Sequence, residues 1–278
     1  MTLIMGIVNV TPDSFSDGGR YADAGAAAAH GLRLHAQGAD ILDVGGESTR
    51  PGAERVEPHV ELERVIPVVR ALSQAGIVVS IDTMNASTAV AAVEAGARIV
   101  NDVSGGMADP GMLAAVASTD ADIVLQHWRG HSADMYARAV YDDVVAEVNR
   151  ELAARIEAAA AAGIAAERVI VDPGIGFGKR GEQNWQTLRG LDRFVATGKR
   201  VLIGTSRKRF LADALADDPA DASEARRDLA TAVTSVLAAQ AGVWAVRVHD
   251  VAATRDALEV ARRWAGPRHD DRSGGREG

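Results

Sequence analysis

The chain has 278 residues, of which 47% are hydrophobic, and a formal net charge of −8 at pH 7. This acidic balance, without a long basic run, argues against nucleic acid or an anionic membrane as a partner. The sequence contains no cysteine, which excludes disulfides and thiolate chemistry and is typical of a cytoplasmic protein. The apolar start, residues 1–10, is too short to span a bilayer, and we interpret it as the first strand of a soluble protein.

Eight short apolar runs end on polar residues, and an alanine-rich helical stretch follows each run. The predicted strands are Leu3–Asn9, Asp40–Glu47, Val78–Asp82, Arg98–Asp102, Asp122–His127, Val169–Asp172, Val201–Lys208 and Ala245–Asp250. The predicted helices are Ala22–Gln37, Val60–Gln74, Ala86–Glu94, Pro110–Thr119, Asp142–Ala162, Gln183–Thr197, Glu224–Gln240 and Ala252–Ala265. Several of these helices are followed by glycine, the residue that most readily adopts the left-handed conformation that stops a helix.

This alternation predicts an α/β fold, a single (β/α)8 TIM barrel with long loops after strands 1 and 2. A doubly wound open sheet is the structural alternative. We expect one domain over residues 1–267 and a charged, glycine-rich, disordered tail over residues 268–278. The long loops, Thr11–Tyr21 and Glu47–Glu57, follow strand ends where barrel active sites are built, so they are candidate lids.

Polar residues at the strand ends would converge on one mouth of such a barrel. They are Asn9, Asp43, Glu47, Asp82, Asn101, Asp102, Gln126, His127, Asp172, Ser206, Lys208, Arg247, His249 and Asp250. Each of them could instead cap the helix that follows. We disfavour that interpretation for the whole set because the residue types differ systematically around the ring.

Strands 3, 4 and 6 end on Asp82, Asn101 and Asp172. Two carboxylates and an amide suit a planar ligand rich in N–H donors. The edge of a 2-aminopyrimidinone, for example, offers adjacent donors that one carboxylate can accept together. A magnesium site is the alternative, since the same side chains ligate Mg²⁺.

Strands 7 and 8 end on basic residues, in the sector where barrels commonly bind phosphate. We interpret Lys208, Arg247 and His249 as anion ligands, whereas Arg207 and Arg209 are expected at the solvated start of a helix. Arg247 and His249 are two residues apart, so on a strand they would point to the same side.

Asn9, with Asp13 and Asp17, could hold a Mg²⁺ ion that bridges to this phosphate. The glycine pattern at residues 176–181 matches G-x-G-x-x-G but has no acidic partner at the right distance, so we interpret it as a loop. No P-loop, nucleophile-elbow or zinc-protease motif occurs in the sequence, and a metal-hydrolase barrel is disfavoured.

Four longer stretches make the chain recognisable. They are residues 5–19 (MGIVNVTPDSFSDGG), residues 43–52 (DVGGESTRPG), residues 80–83 (SIDT) with 99–102 (IVND), and residues 206–208 (SRK) with 247–250 (RVHD). With these motifs, in this order, the chain resembles the dihydropteroate synthase family over about residues 3–265.

The resemblance implies a transferase of folate biosynthesis that joins 6-hydroxymethyl-7,8-dihydropterin pyrophosphate to 4-aminobenzoate, releasing 7,8-dihydropteroate and pyrophosphate. It implies small-molecule substrates, Mg²⁺ as cofactor and competition by sulfonamides for the 4-aminobenzoate pocket. Members of the family are often homodimers, and Val233, Val236 and Leu237 are candidate interface residues.

The resemblance also assigns site residues. The implied pterin ligands are Asp82, Asn101, Asp172, Phe177 and Lys208. The implied 4-aminobenzoate pocket consists of Phe15, Thr49, Arg50, Pro51 and Ser206. The implied pyrophosphate ligands are Asn9, Arg247 and His249. The implied Mg²⁺ ligands are Asn9 and Asp17. The implied catalytic residues are Asp82, Asp172, Lys208, Arg247 and His249.

One residue departs from the family pattern. Gln126 precedes His127, where the family commonly has an apolar residue, often methionine, and this amide could either add a hydrogen bond to the pterin or weaken its binding. Two alternatives therefore stay open. A pterin-dependent corrinoid methyltransferase would not need Phe15 or the loop at residues 48–51. Against a non-catalytic pterin-binding paralogue stands the retention of Asn9, Arg50, Lys208, Arg247 and His249.

Overall fold

The computed structural model describes residues 1–10, 19–47, 56–130 and 136–266. Eight parallel strands pair in chain order and close into a barrel, which confirms the predicted (β/α)8 fold. The strands are β1 (Leu3–Asn9), β2 (Ile41–Gly45), β3 (Val78–Asp82), β4 (Ile99–Asp102), β5 (Asp122–Gln126), β6 (Val169–Asp172), β7 (Arg200–Ile203) and β8 (Ala245–Val248). The expected tail, residues 268–278, lies outside the described residues.

Helices follow the strands around the outside of the barrel. They are α1 (Gly19–Ala36), α2 (Pro58–Gln74), α3 (Ala86–Glu94), α4 (Met112–Ala117), α5 (Val144–Ala161), α6 (Glu182–Arg189), α7 (Leu191–Val195), α8 (Arg209–Leu215), α9 (Glu224–Gln240) and α10 (Val251–Ala265). None of the helices in these described ranges combines the length and the apolar character that a membrane crossing needs.

The predicted strand bounds are confirmed for β1, β3 and β6, whereas β2, β5, β7 and β8 end earlier than predicted. The last register pair between β7 and β8 joins Ile203 and Val246. Ser206, Lys208 and His249 therefore lie in the loops after these strands, and not on the strands themselves. Loops carry their side chains further over the mouth than a strand end would.

The helices differ from the prediction in two places. The predicted helix over residues 183–197 is broken into α6 and α7 at Gly190, where a Cβ atom would come within 2.8 Å of the side chain of Val145. The close approach of α5 at that point leaves room only for glycine. Helix α8 was not predicted, because its seven residues are too few for a helical period to stand out.

The position of the site follows from the alternation of side chains along the strands. The lower interior of the barrel is filled by Met5, Ile41, Ile99, Val124, Ile170, Leu202 and Ala245. The next inward position on a strand is two residues further on. On six of these strands that position is occupied by Asp43, Asn101, Gln126, Asp172, Gly204 and Arg247. An apolar plug thus forms the floor, and a polar layer lies directly above it.

Candidate active site

A cavity of about 1270 Å³ opens at the carboxyl ends of the strands. Its walls include most of the residues that the sequence placed at the mouth. They are Asn9, Glu47, Asp82, Asn101, Gln126, Asp172, Ser206, Lys208, Arg247 and His249, together with Phe177. The acidic and basic sectors therefore face one shared space.

Three members of the predicted ring point elsewhere, because they stand one residue past an inward position. The Asp102 carboxylate accepts hydrogen bonds from the backbone N–H and the hydroxyl of Ser104, at 2.8 and 2.7 Å, and shapes the turn after β4. Asp250 caps α10 by accepting from the backbone N–H of Ala253 at 3.0 Å. His127 is buried outside the barrel wall. For Asp250 the helix-cap interpretation was the right one.

Arg247 lies across the acidic sector. Its Nε donates to Asp43 Oδ2 at 2.5 Å, and its Nη2 donates to Asp82 Oδ2 at 2.7 Å. The same Asp43 oxygen accepts from Asn101 Nδ2 at 3.0 Å. One guanidinium thus joins two carboxylates that both belong to the buried polar layer.

The pKa values of this cluster are shifted by burial and by the neighbouring charges. Burial raises the pKa of Asp82; the Arg247 guanidinium opposes this shift, and the carboxylates of Asp43 and Glu61 add to it. Burial lowers the pKa of Arg247, but Asp43 and Asp82 outweigh that effect and the net shift is upward. The Arg247 guanidinium therefore stays charged, while the net shift of the Asp82 pKa is upward.

Asp172, Lys208 and Phe177 form the opposite wall. Asp172 accepts from the backbone N–H of Gly174 at 2.7 Å, and burial raises its pKa while Lys208 opposes that shift. Lys208 Nζ donates to the carbonyl of Ile175 and lies 4.8 Å from the centre of the Phe177 ring. Burial lowers the pKa of Lys208 to about 8, against the attraction of Asp172.

The loops after β7 and β8 are joined at the rim. The Ser206 hydroxyl lies 2.9 Å from His249 Nδ1 and accepts the His249 backbone N–H at 3.1 Å. Arg207 has a positive φ of 57° and binds Asp228 of α9 at 2.7 Å, so its prediction as a solvated residue was wrong. Arg209 begins α8 with 82% of its side chain exposed, as expected.

A buried lysine was missed by sequence reasoning. Lys179 Nζ donates to the carbonyls of Gly174 and Phe177, at 3.0 and 3.2 Å, and lies 3.1 Å from His127 Nδ1. His127 Nε2 in turn lies 2.9 Å from a carboxylate oxygen of Glu151 on α5. Burial lowers the pKa of Lys179 to about 7 and that of His127 to about 4.

The available signal for Lys179 was its place in the glycine-rich stretch at residues 176–181. That stretch is a loop, as predicted, between β6 and α6. Positive φ values at Gly176 and Gly178 allow the chain to fold back, so that Lys179 reaches beneath its own loop. Local sequence patterns do not predict that this loop folds back on itself.

Gln126 lines the cavity at the end of β5 and is buried. Its Nε2 donates one long hydrogen bond, 3.4 Å, to the carbonyl of Val103. Among the described residues, the amide at this departure from the family pattern is therefore only weakly engaged, and it faces the space in which a ligand would lie.

Of the two predicted Mg²⁺ ligands, Asn9 is among the described residues and Asp17 is not. Asn9 lines the mouth, and its amide oxygen is of the ligand type that Mg²⁺ accepts. Within the described ranges no group of three or more His, Cys, Asp or Glu residues could hold a metal ion. Mg²⁺ is commonly bound by one or two protein oxygens together with the phosphates of a substrate.

Several predicted site residues lie outside the described residues: Phe15, Asp17, Thr49, Arg50 and Pro51, as well as Asp13. Of the predicted 4-aminobenzoate pocket, only Ser206 is described. The segments on either side of residues 48–55 are joined by a hydrogen bond of 3.2 Å from the Val56 backbone N–H to the Glu47 carboxylate.

With this geometry in place, the comparison with protein families decides the identity. Residues 5–249 match the family described as pterin binding enzyme. The chain belongs to this family. It is also 54% identical to the dihydropteroate synthase of Mycobacterium leprae (strain TN), over 95% of this chain and 94% of the relative. The expected resemblance to dihydropteroate synthases is thus confirmed.

Solved structures show the same relation in three dimensions. The Xanthomonas albilineans dihydropteroate synthase with 4-aminobenzoic acid has a TM-score of 0.86 and 47% identity, covering 95% of this chain and 94% of that one. The same enzyme in complex with 7,8-dihydropteroate has a TM-score of 0.84 and 44% identity, covering 96% and 94%. A family member of this size and fold thus accommodates 7,8-dihydropteroate.

Proposed function

We propose that this chain catalyses the dihydropteroate synthase reaction, joining 6-hydroxymethyl-7,8-dihydropterin pyrophosphate to 4-aminobenzoate with release of pyrophosphate. The observation that carries the proposal is the division of one cavity into an acceptor wall and a cationic rim. Asp82, Asn101 and Asp172 suit a heterocycle rich in N–H donors, and Arg247 and His249 suit a diphosphate. The related enzymes bind ligands of the required chemistry.

The pterin is proposed to lie in the buried polar layer, above the apolar floor. Asp82, Asn101 and Asp172 accept hydrogen bonds from its N–H groups. Lys208, which is close enough to oppose the rise in the pKa of Asp172, offers a donor in the same pocket. Phe177, whose ring lies 4.8 Å from Lys208 Nζ, covers the ring face.

The pyrophosphate is proposed to lie at the rim, where Arg247, His249 and Asn9 surround the opening. Asn9 and Asp17 would hold Mg²⁺, which would supply positive charge next to a departing diphosphate. Arg247 supplies further donors from its own guanidinium, in a geometry that matches phosphate oxygens.

The reaction then proceeds by cleavage of the exocyclic C–O bond. The electron pair leaves with pyrophosphate, and the dihydropterin ring delocalises the resulting positive charge, which Asp82 and Asp172 stabilise. The aniline nitrogen of 4-aminobenzoate attacks the exocyclic carbon and loses a proton. This amine is already neutral at pH 7, so no residue is assigned as a general base. Ser206, Phe15, Thr49, Arg50 and Pro51 are the proposed 4-aminobenzoate ligands.

The test is product formation by the purified chain. With both substrates and Mg²⁺, we expect 7,8-dihydropteroate, identified by its mass, and no product when either substrate is omitted. A sulfonamide should compete with 4-aminobenzoate and not with the pterin. Methyl transfer to cobalamin without this product would favour the corrinoid alternative, and pterin binding without turnover would favour the non-catalytic paralogue.

A homodimer is proposed from an exposed apolar stripe on the last two helices. Leu229, Val233 and Leu237 follow each other at four-residue spacing on α9 and are 66%, 52% and 57% exposed. Val260 and Trp264 of α10, which packs beside α9, extend the stripe. Large apolar side chains grouped on one face are typical of a protein interface. Val236, a predicted interface residue, is only partly exposed.

Light scattering tests the dimer, with Val233→Glu and Leu237→Glu expected to give monomers and Glu259→Lys, on a charged part of α10, as the control. A monomeric wild-type chain at micromolar concentration would contradict the proposal. The cytoplasmic location stays a prediction from composition.

A further inference from the structure

We propose that Asp43 is a positioning residue that sets the hydrogen-bond polarity of the pterin wall by orienting the Asn101 amide and the Arg247 guanidinium. The inference rests on the proposed function, in which this wall binds the pterin. It adds a residue that does not itself line the cavity.

Asp43 lies beneath the site. It occupies the second inward position of β2, above Ile41, and its side chain is fully buried. Its register partners are Ile7 on β1 and Ser80 on β3. A charged carboxylate this deep requires compensation, and it receives two hydrogen bonds on Oδ2, from Asn101 and Arg247.

The first consequence concerns the Asn101 amide. The Asp43 oxygen that faces Asn101 already accepts from Arg247 Nε, a group that can only donate, so this oxygen acts as an acceptor. The Asn101 atom that lies 3.0 Å from it is therefore the NH2 group. This leaves the amide oxygen, and one remaining N–H, for the cavity. Asp82, Asn101 and Asp172 then present acceptors side by side, which matches a ligand edge rich in N–H donors.

The second consequence concerns Arg247. Its Nε binds Asp43 while its Nη2 binds Asp82, so the plane of the guanidinium is determined at two points. When a pterin engages Asp82, the bond to Asp43 still holds the arginine at the mouth. The other N–H groups of the planar fork stay available to an anion. Asp43 thus connects the heterocycle sector with the diphosphate sector.

The main test is Asp43→Asn, which keeps the shape of the side chain and removes its charge. Binding is measured by titration calorimetry with two probes, 6-hydroxymethylpterin and, separately, inorganic pyrophosphate. We expect the affinity of Asp43→Asn for the pterin to be at least ten-fold weaker than that of the wild type. The matched control is Ser80→Ala on the neighbouring strand, whose hydroxyl has no hydrogen-bond partner among the described residues. It should bind both probes like the wild type. Unchanged pterin affinity in a folded Asp43→Asn would overturn the proposal.

A double-mutant cycle separates positioning from a general loss of stability. If Asp43 acts through Asn101, adding Asp43→Asn to a protein that already carries Asn101→Ala should reduce the pterin affinity by less than a further three-fold. Equal losses in both backgrounds would show that Asp43 does not act through the amide and would overturn the proposal. The pH dependence of pterin binding gives a further readout. Without the Asp43 charge the pKa of Asp82 should fall, and the pH at which binding changes should fall with it.

A measurement on the wild-type protein covers the case in which Asp43→Asn fails to fold. In NMR spectra, the side-chain amide of Asn101 is assigned as the signal that Asn101→Ala removes. This amide should give one set of NH2 resonances, and these should be protected from exchange with water. Two sets, or rapid exchange, would overturn the proposal. If the wild type fails to bind 6-hydroxymethylpterin, the proposed function fails, while the amide signal still decides whether Asp43 orients Asn101.

Discussion

Arg247 is bonded directly to Asp82, with Nη2 at 2.7 Å from Oδ2. The resemblance assigns the first residue to pyrophosphate and the second to the pterin, yet in the described structure each neutralises the other. A pterin that donates N–H groups to Asp82 would therefore share this carboxylate with Arg247, and the two oxygens of a carboxylate offer enough acceptor sites for both partners.

Replacing Arg247 should affect stability as well as binding. Arg247→Gln leaves Asp43 and Asp82 buried without an opposing charge, and breaking such a buried pair typically costs about 3–5 kcal/mol. We expect the free energy of unfolding in urea to fall by this order at pH 8. The deficit should shrink as the pH falls, because protonation of Asp82 relieves the unpaired charge.

The control is Arg209→Gln at the exposed start of α8, which should leave stability unchanged. Equal unfolding curves for Arg247→Gln and Arg209→Gln would contradict the central role of the ion pair.

Lys208 should take up a proton when the anionic substrate binds. Its pKa is lowered to about 8 by burial, so at pH 8.5 a large fraction of the protein carries a neutral lysine. A bound diphosphate favours the charged form and raises this pKa. Titration calorimetry with the pterin pyrophosphate, in buffers of different ionisation enthalpy, should reveal uptake of a fraction of a proton. Lys208→Arg, which stays charged, is the matched control and should abolish the uptake; the same uptake in both proteins would rule out Lys208 as its source.

Lys179 should support the loop that carries Phe177. Lys179→Met removes the donor from the carbonyls of Gly174 and Phe177, and an unsatisfied buried polar group costs about 1–3 kcal/mol. We expect a roughly ten-fold loss of 6-hydroxymethylpterin affinity with little change for pyrophosphate. Lys199→Met, at an exposed lysine, is the control. A loss confined to pyrophosphate would contradict this role.

The pH dependence of stability gives an independent check on Lys179. The pKa of Lys179 in the folded protein is about 7, below the ordinary lysine value of 10.5, so the unfolded chain binds more protons between these pH values. The contribution of this group to the free energy of unfolding therefore rises with pH across that window. Lys179→Met should flatten the profile, and an unaltered slope would show that the lysine titrates normally.

Gln126 should add to pterin binding. Its amide makes one hydrogen bond, of 3.4 Å, to the part of the chain that the structure describes, so a ligand can bind to it at small cost. Gln126→Met, which restores the residue common in the family, should weaken 6-hydroxymethylpterin binding by about 0.5–1.5 kcal/mol, the worth of one net hydrogen bond. Tighter binding by the variant would show that the glutamine hinders the ligand.

The barrel and the inward polar layer were predictable because both are local. Continuous apolar runs predicted the strands, and the residues that end them, such as Asp82 and Asp172, necessarily meet at one rim. The inward alternation also explains why Asp102 and His127, one position further along, point away from the cavity. Counting in steps of two from Ile99 or Val124 would have distinguished these two residues from the inward-facing ones.

The contacts between sectors were not predictable. Asp43 and Arg247 are 204 residues apart and meet only because β8 closes against β1. The Lys179 contact with His127 depends on a loop that folds back on itself. Such pairings depend on the closure of the barrel, about which local periodicity contains no information.

The most direct test of the account is the release of pyrophosphate from 6-hydroxymethyl-7,8-dihydropterin pyrophosphate, followed with and without 4-aminobenzoate. We predict that pyrophosphate release depends on 4-aminobenzoate and Mg²⁺ and is matched mole for mole by the formation of dihydropteroate. The rate of release should fall at least a hundred-fold in Asp172→Ala or Lys208→Ala. Release that ignores 4-aminobenzoate, or none at all, would contradict it.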